Sequence, residues 1–250
     1  MPALFLRLTF VALGFAFALA PAAAAEAPLR YCRSVAAELK ANSDLAAAAR
    51  AAFGAPQAAD DEACLYPLQL LRYADVDVLV SQIGEPGEAC HGCEASLSAT
   101  VLKRVPGGSK RARSFGNFAK GGSSGAVASV TPIAIGGDDG MAIESGGLFQ
   151  GYASSTLDLY AFRKQGLVAL AAGAPLLVAG DNSGAEADAS KTIEVESAWS
   201  LAGGELTIDY RVTDAHGKRD SRAVWSVGDT TLTLKSGAPP KELAKAAGQE

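Results

Sequence analysis

Residues 192–213 read TIEVESAWSLAGGELTIDYRVT, in which apolar and polar side chains alternate on both sides of the pair Gly203-Gly204. Alternation with a period of two places one set of side chains on a buried face and the other in water, which is typical of a β-strand. Glycine readily adopts the positive φ angles that a two-residue hairpin turn requires. The stretch therefore predicts an antiparallel hairpin with one buried and one solvated face.

Shorter alternating patterns precede and follow this hairpin. They occur at 76–81, 126–135, 141–144, 156–162 and 231–234, with glycine-rich turns between several of them. Short strands at close spacing, without a strand–helix–strand rhythm, predict a mainly β fold over 67–237, either an antiparallel sandwich or a barrel-like meander. Two segments inside it, 105–125 and 180–191, are predicted to be loops because small and polar residues replace the alternation.

Both ends of the chain are predicted to differ from this β domain. Ser43 is a suitable helix N-cap and Gly54 a suitable terminator for the alanine-rich run between them. A short α-helical region is therefore predicted within 26–66. Residues 238–250 are predicted to form a flexible tail.

The first 25 residues have the pattern of a secretory signal peptide. Arg7 precedes an apolar run at 8–20, and small residues at 22–25 form a suitable cleavage site. No later stretch approaches the roughly 20 apolar residues that a membrane-spanning helix needs. We therefore expect a soluble periplasmic or secreted protein after cleavage near Ala25.

The charge of the chain limits its partners. Its 22 basic and 27 acidic residues give a net charge of −5, which provides no general attraction for nucleic acid. Basic residues nevertheless cluster without an intervening acid at Lys103, Arg104, Lys110, Arg111, Arg113 and Lys120. We interpret Lys110, Arg111 and Arg113 as a candidate binding site for an anionic envelope component or another periplasmic protein, the alternative being a solvated hairpin loop.

Four cysteines are present, namely Cys32, Cys64, Cys90 and Cys93, and export would favour disulfide bonds between them. Four cysteines allow three pairings, among which the sequence does not choose. We favour Cys32–Cys64 and Cys90–Cys93. In the chain-entropy description, the longer loop contributes roughly 4 kcal/mol and the four-residue loop about 2 kcal/mol. The first bond is therefore expected to be the structural cross-link.

The loop Cys90-His91-Gly92-Cys93 has three interpretations. The first is a structural disulfide at a strand end, and the second is thiol–disulfide exchange, in which Cys90 attacks, His91 lowers its pKa and Cys93 resolves the mixed disulfide. The third is a metal site, which lacks a second Cys/His pair. Redox enzymes of the thioredoxin type place this motif at a helix start, whereas residues 96–105 alternate like a strand. The structural interpretation is favoured, and no catalytic residue, metal or cofactor is assigned.

Two short motifs follow this loop, Ile135-Gly136 and Gln150-Gly151-Tyr152. With them, the region from about residue 75 to 162 resembles a group of uncharacterised exported proteins of proteobacteria. Those proteins share a cysteine–histidine–small–cysteine loop and a downstream glutamine–glycine–tyrosine strand. The resemblance implies residence in the periplasm and no particular activity.

These features favour a binding or accessory module of the cell envelope over an enzyme. Thiol–disulfide exchange at Cys90 and Cys93 is the alternative. The basic segment and the cysteine loop flank the same predicted strand, so we expect them to form one interaction surface.

Overall fold

The computed structural model describes residues 31–54, 64–87, 90, 92–171 and 176–249. The predicted leader at 1–25 and His91 lie outside the described residues. No helix among the described residues is long and apolar enough to cross a membrane.

Three helices and thirteen strands make up most of the described chain. The helices are α1 (Val35–Ala41), α2 (Ser43–Phe53) and α3 (Leu243–Ala246). The strands are β1 (Leu65–Arg72), β2 (Val76–Ile83), β3 (Ala95–Val105), β4 (Gly108–Gly121), β5 (Ser129–Ile135), β6 (Asp138–Phe149), β7 (Tyr152–Arg163), β8 (Gly166–Ala169), β9 (Leu176–Asp181), β10 (Glu194–Ala202), β11 (Glu205–Asp214), β12 (Gly217–Val227) and β13 (Leu232–Gly237).

A small antiparallel sheet contains β1 to β4 in chain order. Its outer face is covered by α2, whose Leu45 and Ala49 share an apolar cluster with Leu79 and Leu102 of the sheet. The side chain that caps α2 is Asn42, which accepts a hydrogen bond from the Leu45 amide at 3.0 Å. The cap thus lies one residue before the predicted Ser43.

A large antiparallel sheet contains the other nine strands, in the order β13-β12-β11-β10-β9-β7-β6-β5, with β8 also paired to β7. The predicted hairpin at 192–213 is confirmed as β10 and β11, in which Ala202 pairs with Glu205 across Gly203-Gly204. One face of β6 and β7 shares an apolar core with β10 to β12 and α3. That core includes Leu157, Leu159, Ile208, Tyr210, Trp225 and Leu243.

The opposite face of β6 and β7 packs against the small sheet. Met141, Ile143 and Tyr160 from the large sheet form one cluster with Val80 and Leu97 from the small sheet. These two strands are therefore buried on both faces and form the middle layer of the molecule. The predicted fold class is confirmed: the chain is mainly β, with antiparallel sheets in a sandwich-like meander and a short helical N-terminal region.

The predicted loop at 105–125 is wrong over most of its length. Its residues 108–121 form β4, which pairs with β3 and leaves only a tight turn at Pro106-Gly107. β4 is an edge strand with mostly exposed side chains, so its sequence lacks the apolar alternation of a half-buried strand.

The C-terminal segment is more ordered than the predicted flexible tail. Leu243 and Ala246 of α3 are buried in the large core. A Cβ on Gly180 of β9 would lie 3.1 Å from the Ala246 Cβ, so the glycine lets the helix approach the sheet. Glu242 also pairs with Arg219 of β12 at 2.9 Å. These contacts hold the segment against the β domain.

Candidate binding groove between the sheets

A groove opens between the two sheets at the end where β3 begins and β4 ends. Its outer part has a volume of about 490 Å³ and an inner pocket about 170 Å³. Glu94, Gly122, Gly147 and Ser154 line both parts. Because they share these residues, the two parts form one groove, which we call the intersheet groove.

Polar side chains of β6 and β7 form the floor of the inner pocket. Ser145 pairs with Thr156, and Asp158, the next residue of β7 on the same face, pairs with Ile143. The next residue on that face, Tyr160, belongs to the apolar cluster between the sheets. The floor therefore changes from apolar to polar within a few residues of β7.

The lining of the inner pocket includes a buried polar side chain, Ser145, whose hydroxyl has no hydrogen-bond partner among the described residues. The residue is 4% exposed. A Cβ on Gly121 of β4 would lie 2.5 Å from this Oγ, so glycine at 121 leaves the hydroxyl its space. An unsatisfied buried hydroxyl costs about 1–3 kcal/mol. This Oγ has almost no accessible surface, so a polar ligand atom in the pocket would recover that cost only after the side chain turns toward it.

Asp158 is a half-buried carboxyl group in the same pocket. Burial raises its pKa to about 6, and burial is the only cause of the shift. It forms no hydrogen bond or ion pair with any described residue, although Lys120 lines the pocket as well. At neutral pH the carboxylate is therefore mostly ionised, and none of the described basic side chains lies within ion-pair distance of it.

The β6–β7 hairpin forms the outer wall of the groove. Leu148 and Phe149 at its tip are 63% and 66% exposed, which is unusual for such large apolar side chains. Tyr152 also lines the groove, and a Cβ on Gly248 would lie 2.8 Å from its ring, so Gly248 packs closely against that ring. The mouth of the groove is thus apolar and aromatic on this side.

The disulfide-bonded turn forms the opposite wall. Cys90 and Cys93 are joined, as Cys32 and Cys64 are, and both bonds match the favoured pairing. Gly92 and Glu94, on either side of Cys93, line the outer groove.

Hydrogen bonds attach this turn to the core. The Gly125 amide donates to the Cys93 carbonyl at 2.8 Å, and the fully buried Gln82 Nε2 donates to the Gly125 carbonyl at 2.8 Å. The cross-link and this chain of bonds hold the wall in position.

The three basic residues of the candidate site do not form one patch. Arg111 pairs with Leu102 but Arg113 with Val101, because the register shifts between Val101 and Leu102. Val101 and Leu102 are adjacent in β3 and therefore point to opposite faces of the small sheet. The arginines that pair with them lie on opposite faces as well. Arg111 donates to the Ala52 carbonyl of α2 at 3.5 Å, whereas Arg113 donates to the Gln165 carbonyl at 3.3 Å. Lys110 pairs with Lys103.

The expectation of one surface from the basic segment and the cysteine turn is also wrong. Ala95 begins β3 beside the turn, and Lys103, which pairs with Lys110, lies near its far end. Eight residue steps along a strand span roughly 26 Å. Lys120, which pairs with Ser96, is the basic residue of the cluster that lies at the groove.

Sequence reasoning missed Ser145 and Asp158. Asp158 lies in the alternating stretch of β7, a pattern that predicts a solvated polar face. Ser145 follows the apolar run of β6, where no alternation is present. Only the position of the small sheet shows that this face is partly enclosed. The sequence contains no motif that predicts the groove.

Among the described residues, one group has the composition and spacing of a possible metal site: Cys32, Cys64 and Glu85. The two sulfur atoms are bonded to each other, and Glu85 accepts hydrogen bonds from the amide and hydroxyl of Ser34. These ligand atoms are therefore already engaged.

No protein-family model, curated protein or solved structure matches this chain.

Proposed function

We propose that the protein is a soluble binding module of the cell envelope and that the intersheet groove is its ligand site. The observation that carries this proposal is the buried Ser145 hydroxyl of the inner pocket, which has no hydrogen-bond partner among the described residues. The outer volume of about 490 Å³ lies within the usual range for small-molecule sites. The mixture of polar floor and apolar rim is also typical of such sites.

Export from the cytosol is the second part of the proposal. The predicted leader at 1–25 supports it, and the two disulfide bonds are compatible with an oxidising compartment. Fractionation of cells that express the full chain, with mass determination of the mature N-terminus, tests it. We expect a periplasmic protein that begins after Ala25, and a full-length cytosolic protein would refute export.

The contacts in the groove support binding over catalysis. A serine nucleophile normally needs an adjacent base that takes its proton. Ser123, Ser145 and Ser154 line the groove, and none of them donates a hydrogen bond to a base among the described residues.

Thiol–disulfide exchange is the second candidate function because Cys90 is exposed at the rim of the groove. The turn precedes a strand of an antiparallel sheet, so it lacks the helix N-terminus that lowers thiol pKa values in redox enzymes. Stepwise reduction followed by mass spectrometry distinguishes the two functions. We expect Cys90–Cys93 to resist potentials near those of the oxidoreductases, roughly −120 to −270 mV. Its opening within that range would favour exchange.

A groove-blocking variant tests the ligand site directly. A Cβ on Gly147 would lie 3.5 Å from Ser123, an ordinary contact, so the rest of a leucine side chain at this position would enter the groove. Gly147→Leu is therefore the test variant. Gly116→Leu is the matched control, because a Cβ on Gly116 of β4 meets nothing within 4 Å and the residue lies outside the groove.

The probe is the soluble saccharide and peptide mixture that lysozyme releases from isolated cell envelopes. Native mass spectrometry of the protein with this mixture should show adducts for wild type and Gly116→Leu but not for Gly147→Leu. Adducts that are equal in all three proteins, or absent from wild type, would refute the groove as the ligand site.

A further inference from the structure

We infer that the intersheet groove selects a small ligand that carries both a positively charged amine and several hydroxyl groups, as an amino sugar does. The amine would pair with Asp158 and a hydroxyl would bond to Ser145. This inference rests on the proposed function, since it names the class of ligand for the same groove.

The need for a cation follows from the charges around Asp158. Lys120 of β4 and Glu94 before β3 line the same pocket, and Tyr160 follows on the same face of β7. Two carboxyl groups thus face one lysine, and Asp158 has no ion pair with it. A partly buried carboxylate without a partner is unfavourable. A ligand ammonium group would neutralise it, whereas an anionic ligand would add repulsion.

The raised pKa of Asp158, about 6, makes this pairing dependent on pH. Above pH 6 the group is charged and attracts an amine, and below it the group is neutral. Glu94 and Lys120 line the same pocket but have no ion pair with each other or with Asp158. Binding of the amine should therefore weaken as the pH falls through 6.

The hydroxyl requirement follows from the rest of the lining. Ser123, Ser145, Ser154 and Thr156 all line the groove. A side-chain hydroxyl both donates and accepts, so it pairs well with hydroxyl groups of a ligand. Tyr152 and Phe149 at the mouth can contact the apolar face of a sugar ring.

Three monosaccharide probes separate these requirements. Glucosamine carries the amine, N-acetylglucosamine replaces it with a neutral amide, and glucose replaces it with a hydroxyl. NMR titration of the full mature protein at pH 7.5 should give a dissociation constant for glucosamine at least tenfold lower than for the other two. For wild type, lowering the pH to 5 should remove most of that tenfold preference.

Two variants identify the residue responsible. Asp158→Asn should weaken glucosamine binding about tenfold and leave glucose binding unchanged. Asp75→Asn is the matched control, because Asp75 is an exposed aspartate in the β1–β2 turn, and it should bind as wild type does.

The outcomes separate this inference from the proposed function. Equal binding of the three sugars, or a preference that survives in Asp158→Asn, would overturn the cationic ligand but leave the groove as a binding site. Absence of glucosamine binding would overturn it as well, even if envelope adducts still depend on Gly147. Adducts that persist in Gly147→Leu would instead refute the groove itself.

Discussion

The face of β6 and β7 that meets the small sheet has two contrasting ends. At one end Met141, Ile143 and Tyr160 are buried in an apolar cluster with the small sheet. Toward the other end Ser145 and Thr156 line an open groove, and Asp158, which pairs with Ile143, lies where the two environments meet. The two strands continue through both ends without interruption, so the difference arises from the side chains and from what lies opposite. We conclude that apolar packing closes the sandwich at one end, while small and polar residues keep the other end open.

The two disulfide bonds offer the largest expected effect, and they extend the comparison of open and closed regions to the apolar cluster under α2. Cys32 and Cys64 are each 2% exposed within the apolar cluster under α2, whereas Cys90–Cys93 lies at the groove rim. Replacing Cys32 and Cys64 with serine should reduce the free energy of unfolding by about 4 kcal/mol, because the long loop is no longer closed. Urea denaturation measures the loss.

The matched control is the replacement of Cys90 and Cys93 with serine. Its four-residue loop constrains the unfolded chain much less, so the expected loss is about 2 kcal/mol or less. Equal losses for the two double variants would contradict the view that the turn at the groove contributes less to stability than the cross-link under α2.

A core substitution at the closed end gives the next largest effect. Leu97 of β3 is fully buried between the sheets. Leu97→Ala should lower the free energy of unfolding by about 3 kcal/mol, since it removes apolar contacts and leaves a cavity.

Leu148→Ala at the open end is the matched control. Its side chain is 63% exposed, so we expect a change within about 0.5 kcal/mol. Urea denaturation compares the two variants. A large loss from Leu148→Ala would mean that the hairpin tip is packed in solution, and the groove would then not be open as described.

The sequence predicts the closed parts of this molecule better than the groove. The hairpin at 192–213 has a regular alternation and a Gly-Gly turn, and both reflect local constraints on one hairpin. β4 is not predicted from the sequence because an exposed edge strand needs no alternation of apolar residues. The groove is not predicted because Asp158 has the alternating pattern of a solvated face and Ser145 lies where β6 has no alternation. The enclosure of both residues depends on a sheet that is distant in sequence.

Asp158→Asn tests whether partial burial of a carboxyl group in the groove lowers the stability of the protein. The native pKa of about 6 exceeds the ordinary value of 3.8, so between these values the folded protein holds a proton that the unfolded chain has lost. Wild-type stability arising from this group therefore falls as pH rises from 4 to 6. The asparagine does not ionise, so the variant should be more stable than wild type at pH 7.5. Because solvent partly screens this half-buried group, we expect about 1–2 kcal/mol rather than the full value of the shift.

The same variant should show almost none of this advantage at pH 3.5, where Asp158 is mostly protonated in both states. Thermal or urea unfolding of both proteins at the two pH values measures the difference. An advantage that is independent of pH would mean that burial does not raise the pKa of Asp158 in solution.

Ser145→Ala gives the smallest expected change in stability and the sharpest distinction between the two ends. At a closed end, removal of a buried hydroxyl that had a partner would leave that partner unsatisfied and destabilise the protein by about 1–3 kcal/mol. The Ser145 hydroxyl has no hydrogen-bond partner in the described part of the chain, so its removal should leave the free energy of unfolding unchanged or raise it by up to about 1 kcal/mol. Tyr73→Phe is the control, because the Tyr73 hydroxyl donates to the Gly140 carbonyl at 2.6 Å and its loss should destabilise the fold. If Ser145→Ala is destabilised as strongly as Tyr73→Phe, the hydroxyl has a structural partner and is not held available for a ligand.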